Sequence, residues 1–328
     1  MKDLKKTFSI EVTEAIRENM PAGEDIVNYL AVLLDLKKES VKRRIKGTVP
    51  FTFQEIAQIS NTLGISIDSL IDKCYSGSKI SLSIESLGYE EPVECFKKTL
   101  QRCIYLLENK NRSGNSARHV ASDVIPFVFC ESKYSILNFV LLRWVYNFKK
   151  IHVPGKLSDF EMPQDLKKLA SKLIVELKNI KNTTFIFDNG IFSNIVKDIC
   201  YFVEVGLITR SDAELLRNEL YDIGADMEKV AATGRFSSGR DVRMYLTNIS
   251  FDTSYTYIQN ERSECCMFKI YSVNSVDSHN PKVCGVQKKW IDFLKSHSTL
   301  ITKSGEYERT RFFEDQREII RKLDSLLK

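Results

Sequence analysis

Six cations fall within ten residues: Lys37, Lys38, Lys42, Arg43, Arg44 and Lys46, with a single acid, Glu39, among them. Ammonium and guanidinium groups crowded in this way neutralise phosphate oxygens, and Lys, Arg and Glu side chains also reach base edges in the major groove. The chemistry implied is recognition of an anionic polymer, not bond making. Residues 1–73 carry 11 Lys/Arg and 11 Asp/Glu, so the segment is neutral apart from this one concentration. A phosphate backbone responds to the face it meets and not to the average charge.

A helix must present those groups together. Val41 and Ile45 stand at i, i+4 and make an apolar stripe. On a 3.6-residue wheel Glu39, Lys42, Arg43 and Lys46 then lie on the opposite face, with Lys38 at the exposed first turn. Before this helix comes another, in which Leu30, Ala31, Leu33 and Leu34 crowd one side, and Asp35-Leu36 reads as the turn between the two. After Gly47, Thr52 and Glu55 have the spacing of a capping box, and Phe51 with Ile56 that of a hydrophobic staple. Gly64 suits a left-handed helix stop, and Ser66 a cap for a short helix over 67–71. A first helix over Ile10 to Met20 ends at Pro21-Ala22-Gly23 and braces the rest, with Ile16 and Met20 as core candidates.

In order and spacing this segment resembles the lambda-repressor-like (Cro/repressor) helix-turn-helix family. The features that carry the resemblance are Leu30-Ala31 before the turn, Asp35, the helix from Lys38 to Lys46, Gly47, and Leu63-Gly64-Ile65-Ser66. Asp35 stands where a turn Gly is usual, and Asp tolerates the left-handed region. Lys37 replaces the usual capping Ser or Thr, which weakens the cap and adds a cation. The resemblance covers about residues 8–73. It implies a five-helix DNA-binding domain whose recognition helix, about 38–46, enters the major groove of double-stranded DNA. Phosphate contacts then fall to Lys37, Lys42, Arg44 and Lys46, and base contacts to Lys38, Glu39 and Arg43. It also implies a homodimer on two half-sites.

Over all 328 residues, 43% are apolar and 28% charged, with net charge +5, an ordinary composition with room for more than one domain. The eight cysteines include no Cys-x-x-Cys pair and no Cys/His ligand spacing, so they read as reduced thiols of the core, Cys103 and Cys200 on apolar helix stripes among them. His279 and Cys284, near Cys265-Cys266, have metal-ligand chemistry, but core or loop positions account for them more simply, and no metal or cofactor is expected. The N-terminal MKDLKKTFSIEV lacks the apolar run of a signal peptide, and Ile136 to Phe148 is too short and too interrupted to span a bilayer. A cytoplasmic protein without a membrane partner is the expectation.

The expected fold class is mainly α, in four parts. These are the helix-turn-helix domain (1–73), a linker (74–91) with a short strand at 80–84, an all-helical regulatory or dimerising domain (92–233), and a small α+β unit (240–328) with short antiparallel strands. Within the third part, Arg112 to Ser122 reads as a polar loop and Ser211 with Glu214 as a capping box; the Gly/Ser loop Thr233 to Gly239 that follows could cradle phosphate, but a hinge between domains accounts for it more simply. Arg309, Arg311, Arg317 and Arg321, interleaved with Glu308, Glu314, Asp315 and Glu318, read as a self-paired surface. No P-loop, G-x-G-x-x-G, His-Glu-x-x-His or G-x-S-x-G occurs, which argues against an enzyme. A sequence-specific transcriptional regulator is therefore the leading reading. The alternatives are a protein-interaction module that uses the bundle without DNA, and an uncommon ligand sensor or enzyme in residues 92–328. An effector ligand or protein partner belongs to either kind of regulator.

Overall fold

The computed structural model describes residues 2–21, 23–65, 67, 70–71, 83–84, 91–111, 114–147, 155–251, 253–261, 263–270 and 274–327. It divides into two compact units, residues 1–83 with 278–283, and residues 84–277 with 284–328. The first contains α1 (Lys2–Asn19), α2 (Ile26–Leu33), α3 (Lys38–Ile45) and α4 (Phe53–Leu63). Their shared core is Val12, Ala15, Ile16, Leu30, Val41, Phe51, Ile56, Ile59 and Leu70, with Ala31, Leu33, Leu34 and Ile45 packed against it. Met20 is only half-buried and stands outside this core. Ile67, Leu70 and Ile71 are helical, but the expected cap Ser66 and most of the expected linker lie outside the described residues.

The second unit departs from the expected fold class. Its strands are β1 (Ser83–Ile84, at the unit boundary), β2 (Ala117–Ser122), β3 (Asn182–Phe187), β4 (Asp241–Thr247), β5 (Tyr255–Gln259), β6 (Glu264–Ile270), β7 (Asn274–Ser278) and β8 (Ser298–Leu300). They form one sheet in the order β1-β7-β6-β5-β2-β3-β4-β8. At its centre β2, β3 and β4 run parallel, Ala117 opposite Asn182 and Asn182 opposite Asp241. Antiparallel β5 and β6 extend one side, and β8 closes along β4 on the other.

The middle region is thus not all-helical, and the strands after residue 240 are not a separate small unit. Residues 117–122, expected as a polar loop, and 182–187, unassigned in the sequence, supply the central strands. Parallel neighbours need long crossovers. Here they are α6 (Tyr134–Asn147) with α7 (Gln164–Asn179), then α8 (Ser193–Glu204) with α9 (Arg210–Thr233).

Those crossovers, with α5 (Pro92–Asn111) and α11 (Glu306–Arg321), bury one sheet face through Val120, Phe185, Phe187, Val242, Met244 and Ile258. The opposite face carries Tyr245 and Tyr257, over whose rings lie Lys295 and Lys288 of α10 (Pro281–Ser296). Gln287 of α10 donates from Nε2 to the Thr256 and Met267 carbonyls, which ties that helix to the sheet. The short α12 (Asp324–Leu327) ends the chain's described part.

Local chemistry explains the remaining differences. The capping box of α9 is Thr209 with Asp212, not Ser211 with Glu214; Thr209 already has extended backbone, and its hydroxyl is shared with that of Ser211. Gly234 to Gly239 is a tight entry into β4 and not a hinge. Phe236 within it is buried against Phe129 and Phe185, and the Ser238 hydroxyl donates to the Lys178 carbonyl at 2.7 Å.

Helix α6 is apolar on nearly every side, as expected; the Glu219 carboxylate accepts its Ser135 and Ile136 N–H groups, and Trp144 Nε1 donates to the Pro92 carbonyl. Among the described cysteines, Cys95, Cys130, Cys265, Cys266 and Cys284 are buried. Burial pushes the Cys130 thiol up to about 12, as befits a small core hydrophobe. Of the α11 arginines expected to pair with neighbouring acids, Arg317 meets Glu228 and Glu314 and Arg321 meets Glu314 and Glu318, whereas Arg309 donates to the Ile301 and Ser304 carbonyls instead.

Both tryptophans, Trp144 and Trp290, belong to the second unit, so indole fluorescence follows its unfolding alone. Phe139 is fully buried, edge-on to Phe202 at 5.4 Å. Phe139→Ala is expected to cost about 3–5 kcal/mol, read as a lower denaturant midpoint for the indole signal with unchanged slope.

Candidate nucleic-acid interface

The basic helix is set by what it buries. Val41 is 0% exposed, locked among residues of α1, α2 and α4, and Ile45 is partly buried one turn later. That orientation turns the rest of α3 outward. Lys37, Lys38, Glu39, Lys42, Arg43 and Lys46 are exposed.

The turn that delivers α3 is held by its own backbone. Asp35 has φ 50, the Leu36 N–H donates to the Ala31 carbonyl at 3.0 Å, and the Asp35 N–H to the Val32 carbonyl at 3.4 Å. These are the paired bonds of a Schellman ending, with Asp taking the place usually filled by Gly. Lys37 is the N-cap of α3, extended at φ −64 and ψ 141, and makes no side-chain cap bond. Glu39 in the first turn and Lys42 and Arg43 in the last complement the helix dipole. Gly47, at φ 68, ends the helix, and the Thr48 hydroxyl donates to the Arg43 carbonyl at 2.8 Å.

Arg44 is placed differently from the other five cations. Its Nε and Nη2 donate to the two oxygens of Glu55 at 2.8 and 2.7 Å, and both side chains are only 14% exposed. Glu55 is also the third residue of α4. It accepts the Thr52 N–H at 2.8 Å while its own N–H donates to the Thr52 hydroxyl at 3.2 Å, which completes the expected capping box. Phe51 and Ile56, at staple spacing, are both in the core. One carboxylate therefore caps α4 and clamps the last turn of α3. Gln58 adds a second tie, donating from Nε2 to the Leu33 carbonyl at the end of α2. Gly64, at φ 65, closes α4 as expected.

The sequence offered both ends of the Arg44–Glu55 pair. The expectation of a phosphate contact at Arg44 fails because its partner lies eleven residues away across a loop, beyond the reach of a single-helix pattern. Of the expected site residues, the fold leaves Lys37, Lys38, Glu39, Lys42, Arg43 and Lys46 on the surface and holds Arg44 in the structural pair.

Residues 9–82 match the family model described as the BetR domain, a family associated with helix-turn-helix DNA-binding regulators. The match covers the first unit's bundle and leaves the sheet-bearing unit outside it. No curated protein and no solved structure matches the chain. Among the described residues no helix is long and apolar enough to cross a membrane.

Burial pushes the Glu55 carboxyl up, but the hydrogen bonds from Arg44 and Thr52 and the Arg44 charge outweigh it and hold the group below its ordinary value. A carboxylate depressed in the folded state contributes stability above its unfolded pKa and loses it as pH falls toward the folded value. The helical unit should therefore lose stability as pH drops below about 4.5. Glu55→Gln should remove that part of the acid sensitivity and lower stability at pH 7. The check is helical melting temperature against pH for residue 55 as Glu and as Gln.

Proposed function

We propose that the chain is a sequence-specific DNA-binding transcriptional regulator. In this reading the first unit is lambda-repressor-like, and α3 lies in the major groove. The observation that carries it is the division of α3 between a wholly buried Val41 and an exposed face of Lys38, Glu39, Lys42, Arg43 and Lys46. A rigid helix with one face fixed in a core and a cationic face in solvent has the form that major-groove readers take. The BetR match over residues 9–82 supports the same assignment.

Lys37, Lys42 and Lys46 make the phosphate contacts that set position, and Lys38, Glu39 and Arg43 read base edges. Arg44 acts through the fold, keeping α3 fixed to α4. A single small motif rarely suffices for specific binding, so the protein works as a homodimer on two half-sites. The sheet-bearing unit supplies the dimer contact or senses an effector. No catalytic step is assigned to it.

A second reading has its own observation. Val32 and Phe53 of the same unit are 85% and 76% exposed, which suits a protein partner. Reversing the charge of Lys42 and Lys46 separates the two, because it abolishes DNA binding and leaves an apolar protein contact intact.

Log affinity for duplex DNA should fall linearly with log salt, with a slope of about −0.9 for each phosphate neutralised. Lys46→Ala should weaken all duplexes alike and flatten the slope by about 1, whereas Arg43→Ala should relax preference at one base pair at a cost of about 1–3 kcal/mol. Arg44→Ala should lower the melting temperature before it alters base preference. Selection from random duplexes, followed by titration across salt, tests all of these; a salt-independent affinity would sink the assignment.

A further inference from the structure

Arg118 is the second residue of β2 and one of the most deeply placed cations of the protein. The residue is 9% exposed, and its guanidinium lies over the Phe185 ring, 5.8 Å from the centroid. Its Nε and Nη1 are buried and meet no hydrogen-bond acceptor. Directly opposite in the parallel register is Thr183, 1% exposed, whose hydroxyl is likewise buried without a partner. Residues paired in this way point to the same sheet face, so both unsatisfied polar side chains leave the sheet on the face that bears Phe185.

Four other partly buried cations of this unit meet an acid: Lys133 meets Asp222, Arg143 meets Asp198, Lys178 meets Glu131 and Arg217 meets Asp324. Arg118 does not. Among the described residues, the ionisable group that acts on it is the Cys103 thiol of α5. Burial draws the guanidinium down to about 10, so it is still cationic at neutral pH. An aromatic face offsets only part of the cost of desolvating a full charge, and native buried charges are paired.

Both residues stand one position inside the amino ends of their strands. The polar groups at that edge are committed to one another. Ser116 Oγ donates to Asn111 Oδ1 and accepts the Lys181 N–H; Lys181 Nζ donates to Asn115. The Glu176 carboxylate is bound by the Asn111 amide and is not turned to Arg118.

We propose that Arg118 and the Thr183 hydroxyl form a binding point for a small oxyanion, a carboxylate or phosphate group, entering from the amino edge of the sheet. Guanidinium nitrogens and a hydroxyl are the donors such a group takes. The site belongs to the unit that does not carry the basic helix, so it stands or falls independently of DNA binding.

The test is thermal unfolding of the full chain, followed by tryptophan fluorescence, with sodium phosphate or sodium acetate titrated against sodium chloride at constant ionic strength. The expected result is a saturable rise in melting temperature of about 2 °C or more with at least one oxyanion and not with chloride. A response to phosphate alone or to acetate alone identifies which group the site takes. Arg118→Met should abolish the rise, and Thr183→Val, which removes only the hydroxyl, should shift its midpoint to several-fold higher concentration. If Arg118→Met does not fold, Thr183→Val and Arg118→Lys decide the question by the same shift in midpoint. A wild-type response indistinguishable from chloride would overturn the proposal, and so would an oxyanion response that the folded variants leave unchanged.

Discussion

The two-pronged bond between Arg44 and Glu55 governs the geometry of the helical unit. It joins the last turn of the basic helix to the first turn of the helix that follows, and the same carboxylate closes a capping box. At 14% exposure on both sides the pair is shielded enough to act as a fixed strut, where a fully solvated pair would contribute little. Val41 fixes which side of α3 faces inward; Arg44 fixes where its carboxyl end lies. The remaining cations are left on a surface whose orientation the bundle, and not their own flexible stems, decides.

The larger unit obeys a different constraint. Three parallel strands lie side by side at the centre of its sheet, and parallel pairing obliges the chain to leave the sheet and return over helices. The long helical tracts between strands follow from that obligation. They deposit a single apolar layer of Phe, Leu and Ile on one sheet face, while α10 covers the other with a lysine over each of two tyrosine rings. In such a layer the guanidinium of Arg118, two of whose nitrogens are buried and meet no acceptor, is conspicuous.

Much of the first unit was legible because its signals are local. The capping box, the staple, the left-handed stops at Gly47 and Gly64 and the left-handed Asp35 each lie within a few residues and act through the backbone. Most helices of the second unit were also visible, in their 3.6-residue apolar periods. The central strands were not. β3, NTTFIF, is buried at every position after the first, and a strand enclosed on both faces shows no alternation. β2 was hidden by Arg118 and His119, polar residues that read as a loop until a core is seen to close over them. Gly234 to Gly239 read as a hinge because its composition outweighs one residue, Phe236, whose burial depends on Phe129 and Phe185 far along the chain.

The amino-acid sequence by itself determined the helical bundle, its caps and turns, and the position of a cationic helix within it, because backbone hydrogen bonding and apolar periodicity act over a single turn or two. The tertiary structure alone decided that Arg44 is a strut while its neighbours are free, that residues 117–122 and 182–187 are the centre of a sheet, and that Arg118 is buried beside Thr183 without an acid. Each of these turns on groups distant in sequence meeting where water is excluded. Which charges find partners there is settled by packing and not by composition.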